Sequence, residues 1–187
     1  MDTLSHVFWA WFFARKNKLG WLAAAGAVLP DLASLVAGAF ALVVSGFDLT
    51  AAVQEFFATP YRPFYLFFHS VLVFGVLACV VLALKRVAWP FFFGWGLHLL
   101  FDAFTHVTDG IRPVWPLSDW QLVGPFSYWD FSHGAAFVIA VEAIALAVAL
   151  WILWRERPKQ GFNRLVEKKV AWQNQRPKKA LRRQLRR

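Results

Sequence analysis

The chain has 187 residues, of which 59% are hydrophobic, 18% aromatic and only 17% charged. A soluble domain is typically about 45–50% apolar and about 25% charged, so this composition argues against a water-soluble globular protein and favours a membrane protein. The single cysteine, Cys79, excludes a disulfide framework and a thiolate metal site.

The first apolar segment, Thr3–Ala14, is predicted to be a short aromatic helix at or in the membrane. It does not resemble a signal peptide, because its basic residues follow the apolar stretch rather than precede it. Four longer apolar runs come next, at residues 22–46, 64–84, 88–106 and 134–154. About 20 apolar residues cross the hydrocarbon core, and lipid offers the backbone no hydrogen-bond partners. The predicted fold is therefore all-α: a polytopic membrane bundle of four spanning helices plus a short N-terminal helix.

The longest connection between these runs covers residues 107–132. Pro113, Pro116 and Pro125 exclude a regular helix there, and its Trp and Tyr residues are typical of a membrane interface. The segment is predicted to be a rigid aromatic loop, placed where a lid over the helix ends would lie.

The charge divides the chain into a membrane bundle with a metal site, residues 1–154, and a basic tail, residues 155–187. The tail holds 13 Lys and Arg against two Glu, a net charge of +11, whereas the bundle holds seven basic against nine acidic residues. Eighteen of the 20 basic residues fall on one predicted side of the membrane, which indicates a multipass protein with that side and the C-terminal tail in the cytoplasm.

The basic tail is predicted to contact membrane lipids through their anionic headgroups, at roughly 1 kcal/mol per basic residue. Nucleic acid is not an expected partner, because nothing in the tail resembles a sequence-reading module. The sequence makes no prediction about protein partners.

Ionisable residues inside the apolar segments are costly and are functional candidates by default. At about 1.5 Å rise per residue they fall in one layer, roughly 14 to 24 Å from the basic edge. The members of this layer are His6, Asp31, His69, His98, Asp102 and Glu142. Agreement in depth among separate segments predicts a single site.

His98 and Asp102 are four residues apart and therefore share one face of a helix, and His106 continues the same row. Helical bundles build metal sites from such pairs together with ligands from neighbouring helices. Imidazole and carboxylate without thiolate suit Zn, Mn or Fe. The sequence thus predicts a divalent metal held by His69, His98 and Asp102, with His6 and Asp31 completing or bridging the site.

Other polar residues are assigned supporting roles. Asp31 or Glu142 is a candidate general base, while His106, Asp109 and His133 are placed at the rim of the site or behind its ligands. Structural alternatives remain open: His69 and Ser70 could join helices by hydrogen bonds, and Asp31 could cap backbone groups freed by the preceding proline.

Four motifs occur in order along the chain: an early His6, Gly-x-x-x-Pro-Asp at residues 26–31, His-Ser at 69–70, and His-x-x-x-Asp-x-x-Thr at 98–105. Together they resemble the inner-membrane-associated metal-dependent hydrolases, sometimes described as LexA-binding, which are distantly similar to zinc-dependent phospholipase C and its nuclease relatives. The resemblance covers about residues 1–155. It implies an all-helical bundle in a prokaryotic cytoplasmic (inner) membrane, a site whose divalent metal is zinc, and hydrolysis of a phosphodiester or lipid-like substrate.

Two departures from that family's pattern bear on activity. The family often has a second acid soon after Pro-Asp, where this chain has PDLAS, and a further His before His-Ser, where this chain has YLFFHS. The leading hypothesis is a membrane-bound metal-dependent hydrolase whose substrate enters laterally from the lipid. The alternative is a non-enzymatic integral membrane protein, in which the same polar layer transports protons or metal ions or specifies helix packing.

Overall fold

The computed structural model describes residues 2–58, 60–107 and 110–156, which form helices and loops with no β-strand among them. The predicted all-helical class is therefore confirmed for this part of the chain. Its α-helices are α1 Thr3–Ala14, α2 Trp21–Val28, α3 Leu32–Val44, α4 Leu49–Ala58, α5 Arg62–Phe68, α6 Val71–Leu84, α7 Trp89–Thr105 and α8 Ala135–Glu156. The chain divides into two units, the first ending at Ile139 and the second beginning at Ala140.

Helix α7 is the centre of the first unit. On one side it meets α1 and α2 through buried small side chains, among them Ala10, Ala23 and Ala27. Gly94 of α7 lies so close to α2 that a Cβ atom there would be 1.9 Å from the Ala23 carbonyl oxygen. Small residues of this kind let helix backbones approach closely in apolar surroundings.

The other side of α7 is aromatic and aliphatic. Phe92, Trp95 and Leu99 form a buried cluster, and Phe68 of α5 and Phe74 of α6 pack against it. These contacts place the junction between α5 and α6 beside the middle of α7.

Two of the four predicted spans are each divided into a bent pair of helices. Helices α2 and α3 meet at 66°, and α5 and α6 meet at 58°. By length and composition, two helices of the described chain can cross a membrane, namely Arg86–Thr105 and Ala135–Glu156, or up to four if each bent pair forms one span. The predicted runs are thus apolar enough, but 22–46 and 64–84 are not continuous helices.

The sequence explains both breaks. Pro30 follows α2 and has no N–H to continue the helical hydrogen-bond ladder. Ser70 starts α6 as its N-cap, with its hydroxyl accepting a hydrogen bond from the Val73 N–H at 3.3 Å. Asp31 and His69, two predicted site residues, therefore stand at the breaks rather than within regular helix.

The loop after α7 packs against the ends of α1, α6 and α7. Ser70 donates a hydrogen bond to the Trp115 carbonyl at 2.7 Å, and the Gly124 N–H donates to the His106 carbonyl at 2.8 Å. The Tyr128 hydroxyl donates to Asp2, the residue that caps α1, at 2.9 Å. The loop thereby ties α1, α6 and α7 together at one end of the bundle.

Candidate metal centre

The site begins with His98 and Asp102, one turn apart on α7. Both are almost fully buried, with relative exposures of 1% and 3%, and His98 Nε2 lies 3.0 Å from Asp102 Oδ2. The two side chains share the helix face that their four-residue spacing predicts.

His69 enters this site from the break between α5 and α6. Its Nε2 atom lies 3.5 Å from Asp102 Oδ2 and 3.3 Å from His98 Nε2. Two imidazole nitrogens from different helices therefore face one carboxylate and each other.

Backbone carbonyls determine which nitrogen of each ring faces the site. His98 Nδ1 lies 2.8 Å from the Ala27 carbonyl oxygen, and His69 Nδ1 lies 2.9 Å from the Tyr65 carbonyl oxygen. A carbonyl can only accept, so each Nδ1 donates a hydrogen, and when the rings are neutral each Nε2 presents a lone pair. Two lone pairs at 3.3 Å repel each other, whereas a cation bound by both would make the same arrangement favourable.

Asp31 reaches the site from the break between α2 and α3. Its Oδ1 lies 3.6 Å from His69 Nε2 and 3.7 Å from His98 Nε2, and its Oδ2 accepts a hydrogen bond from the Thr3 hydroxyl at 2.6 Å. Although Asp31 occupies the N-cap position of α3, its side chain makes no capping hydrogen bond. The carboxylate is directed to the histidines instead.

His6 of α1 completes the cluster. Its ring stacks on that of His98, with centroids 3.9 Å apart and planes 23° apart, and its Nε2 lies 3.0 Å from Asp102 Oδ1. It is 1% exposed, yet neither of its ring nitrogens makes a hydrogen bond of acceptable angle with any described residue. A buried imidazole in this condition costs free energy unless another group, such as a metal ion, binds its lone pair.

The five predicted ligands fall into two overlapping groups that could hold a metal ion, each with ligand atoms within 4.8 Å of one another. One is His6, His98 and Asp102, and the other is Asp31, His69 and His98. Because His98 has only Nε2 to offer, the groups share one atom, which favours one centre over two separate ones. Three imidazoles and two carboxylates form a donor set that suits a first-row divalent metal.

The remaining predicted site residues have different surroundings. His106 is buried with Nδ1 3.5 Å from Asp102 Oδ1, so it lies behind a predicted ligand. Glu142 belongs to α8 in the second unit and to neither ligand group. Asp109 and most of the predicted basic tail, residues 157–187, lie outside the described residues.

His133 belongs to a short turn of 3-10 helix, Phe131–His133, and is exposed. Its Nδ1 lies 2.7 Å from Asp130, and hydrogen bonds from Ser132 and His133 lower the pKa of Asp130 to about 2. His133 thus serves this turn, and neither ligand group includes it.

Thr3 is a contributor that the sequence interpretation missed. It lies one turn before His6, and residues three apart share a helix face, so the spacing itself could have indicated it. The ring of Tyr65 was also missed: it stacks on His69 with centroids 3.8 Å apart, one turn earlier along the chain.

We expect Thr3→Val to weaken metal binding, because it removes the hydrogen bond that orients Asp31 while nearly preserving the side-chain volume. Loss of such a supporting contact typically lowers metal affinity about 10–100-fold. Thr3→Ser keeps the hydroxyl and is expected to retain most of the affinity. Competition with a chromogenic zinc chelator measures both variants; equal affinities in Thr3→Val and Thr3→Ser would refute the role of the hydroxyl.

Comparison with known proteins gave no match to any family model, any curated protein or any solved structure.

Proposed function

We propose that this chain is a membrane-bound metal-dependent hydrolase that acts on a phosphodiester or lipid-like substrate. The observation that carries the proposal is the convergence of His6, His69 and His98 Nε2 atoms with the carboxylates of Asp31 and Asp102. The order of the His, Pro-Asp, His-Ser and His-x-x-x-Asp motifs supports the same activity through the resemblance described above.

Zinc is the metal we favour for this donor set, which offers imidazole and carboxylate and no thiolate. Bound there, it would lower the pKa of a water molecule towards about 7 and polarise a phosphoryl oxygen. The residues supply orientation: carbonyl oxygens of α2 and α5 hold His98 and His69 with Nε2 towards the site.

Asp31 is the group we assign as general base. Its side chain is 16% exposed, against 4% for Asp102, so it is the site carboxylate nearest to where substrate and water arrive. It would take a proton from the attacking water as the new P–O bond forms; the leaving alkoxide would take a proton from a second water as the ester bond breaks, and Asp31 would return its proton to the resulting hydroxide. Thr3 keeps the second oxygen of Asp31 engaged during this step.

A four-span topology in the cytoplasmic membrane is part of the proposal, with each bent pair forming one broken span and the basic tail on the cytoplasmic side. Exposed apolar side chains support it: Val36 and Phe40 on α3 and Ile144 and Trp151 on α8 are all at least half exposed. Surfaces this apolar are unfavourable in water and natural in lipid.

The decisive test is hydrolysis by purified, zinc-loaded protein in vesicles of phosphatidylglycerol and phosphatidylethanolamine. We expect release of a phosphorylated headgroup or diacylglycerol, which mass spectrometry detects. The rate of release with Asp102→Asn should be no higher than in protein-free vesicles. His133→Gln, which changes an exposed histidine outside the cluster, should hydrolyse at the wild-type rate. Absence of any product from zinc-loaded wild type would count against the activity.

One observation favours a second candidate, metal-ion or proton transport. Transporters often bind ions where helices are broken, and here the 66° and 58° breaks bring Asp31 and His69 to the same site. Zinc influx into vesicles containing an internal zinc indicator distinguishes the two functions. Influx that requires Asp102, without lipid hydrolysis, would favour transport over the hydrolase.

A further inference from the structure

An apolar groove of about 550 Å³ lies between α3 and α5 in the first unit. Its volume is within the roughly 300–1,000 Å³ typical of ligand pockets. Its lining is apolar apart from the Tyr61 side chain and includes Leu32, Ala33, Val36, Phe40, Phe64 and Phe68.

The groove opens outward along its length. Val36, Phe40 and Phe64 are 61%, 56% and 64% exposed, so they form a rim that the surrounding medium reaches. In a membrane, that medium is lipid. Within a bilayer, the groove is therefore open to hydrocarbon chains from the side, with no water to cross.

Two lining residues of the groove are sequence neighbours of predicted ligands of the candidate metal centre. Leu32, a lining residue on α3, directly follows Asp31, and Phe68, a lining residue on α5, directly precedes His69. Both walls thus end at predicted ligands. On both walls, therefore, this end of the groove lies one residue from a predicted ligand.

We propose that this groove holds a hydrocarbon chain of the lipid substrate and directs the attached phosphate-ester head to the metal centre. The inference rests on the proposed hydrolase activity and specifies its substrate as a long-chain lipid phosphoester. A lipid has an apolar chain joined to a polar head, which matches an apolar groove that ends next to a polar cluster. An apolar helix of another protein has no such polar end.

The groove orients the substrate more than it supplies affinity. Lipid tails are as apolar as the lining, so moving a chain from bilayer to groove gains little hydrophobic free energy. Holding the chain in one direction presents the ester bond to Asp31 in a fixed geometry, which accelerates a reaction. Filling the groove should consequently impair turnover of long-chain substrates and spare short-chain ones.

The first measurement is photo-crosslinking of full-length protein in dioleoylphosphatidylglycerol vesicles that contain an analogue with a diazirine in its acyl chain. We expect peptides with Val36 and Phe64 to be labelled several-fold above the peptide with Ile144, which faces the surroundings on α8. Equal labelling of all exposed helix faces would show ordinary lipid contact and would overturn the proposal.

The second measurement compares two variants in the same vesicles. Ala33→Trp fills the groove and should reduce labelling of Val36 and Phe64. Gly75→Trp on α6 should leave the labelling unchanged, because Gly75 does not line the groove and a Cβ atom added there meets no atom within 4 Å. Zinc content is measured on each sample, because a folded variant with a filled groove keeps its zinc and an unfolded variant loses it. Unchanged labelling in a folded, zinc-bound Ala33→Trp variant would also overturn the proposal.

Failure of the groove and failure of the hydrolase give different results. If both dihexanoyl and dioleoyl phosphatidylglycerol are hydrolysed and Ala33→Trp slows neither reaction, the role of the groove is refuted and the hydrolase activity is supported. If Ala33→Trp abolishes specific labelling but neither lipid is hydrolysed, lipid binding in the groove is supported and the hydrolase activity is refuted. Selective loss of dioleoyl turnover in Ala33→Trp supports both.

Discussion

Replacing His98 with alanine is expected to abolish stoichiometric zinc binding. His98 Nε2 belongs to both ligand groups and lies within 3.7 Å of Asp31, His69 and Asp102 side-chain atoms. The substitution removes the shared ligand, so the loss of affinity should exceed the about 10–100-fold that follows loss of a supporting contact. It also removes the partner of the Ala27 carbonyl, so some loss of stability should accompany it.

The measurement is metal content of purified protein by mass spectrometry, after equilibration with zinc and removal of the excess. His133→Ala is the matched control, because it removes an imidazole that is exposed and belongs to neither ligand group. Circular dichroism of both variants checks that helices persist. Zinc bound equally by wild type, His98→Ala and His133→Ala would place the metal elsewhere, and zinc bound by none of them would leave the cluster a packing feature.

Sequence patterns predicted the helical class because long apolar runs determine it almost alone. The spacing of His98 and Asp102 also fixed their relative position, since residues four apart lie on one helix face whatever surrounds them. Depth along the membrane then selected His6, Asp31 and His69 as neighbours, and the structure brings these three to the α7 pair. Their role as ligands stays a prediction.

Depth estimates are insufficient on their own, as Glu142 illustrates. Its distance from the basic edge matches that of Asp31, but depth gives no information on which face of α8 the side chain occupies or which helix adjoins it. Among the described residues, neither ligand group contains Glu142. Spacing along one helix predicts whether two side chains point the same way, but the sequence gives no such prediction for side chains on separate helices.

The helix breaks were the main feature that hydropathy could not reveal, because a broken span and a continuous one have the same mean hydropathy. Their consequence is chemical. A helix end leaves carbonyl oxygens without helical partners, and here such carbonyls, Ala27 and Phe68, accept hydrogen bonds from His98 and Trp95. The breaks therefore orient the site as well as delivering Asp31 and His69 to it.

Gly94→Ala is expected to destabilise the protein and weaken zinc binding together. An added Cβ would lie 1.9 Å from the Ala23 carbonyl oxygen, a backbone atom that cannot rotate away. Helices α2 and α7 must then separate, and overpacking of this kind costs about 1–3 kcal/mol. Ala27 lies one turn beyond Ala23, so the same movement lengthens the hydrogen bond between its carbonyl and His98.

Gly75→Ala tests whether the effect arises from packing or from helix propensity. Gly75 is also within an α-helix, but a Cβ there meets nothing within 4 Å. Alanine is favoured over glycine in a helix by about 1 kcal/mol, so this variant should be at least as stable as wild type and bind zinc equally well. Thermal unfolding in detergent and zinc competition should therefore show lower stability and weaker zinc binding in Gly94→Ala alone. If Gly94→Ala loses stability but keeps full zinc affinity, the α2–α7 contact and the orientation of His98 are independent of each other.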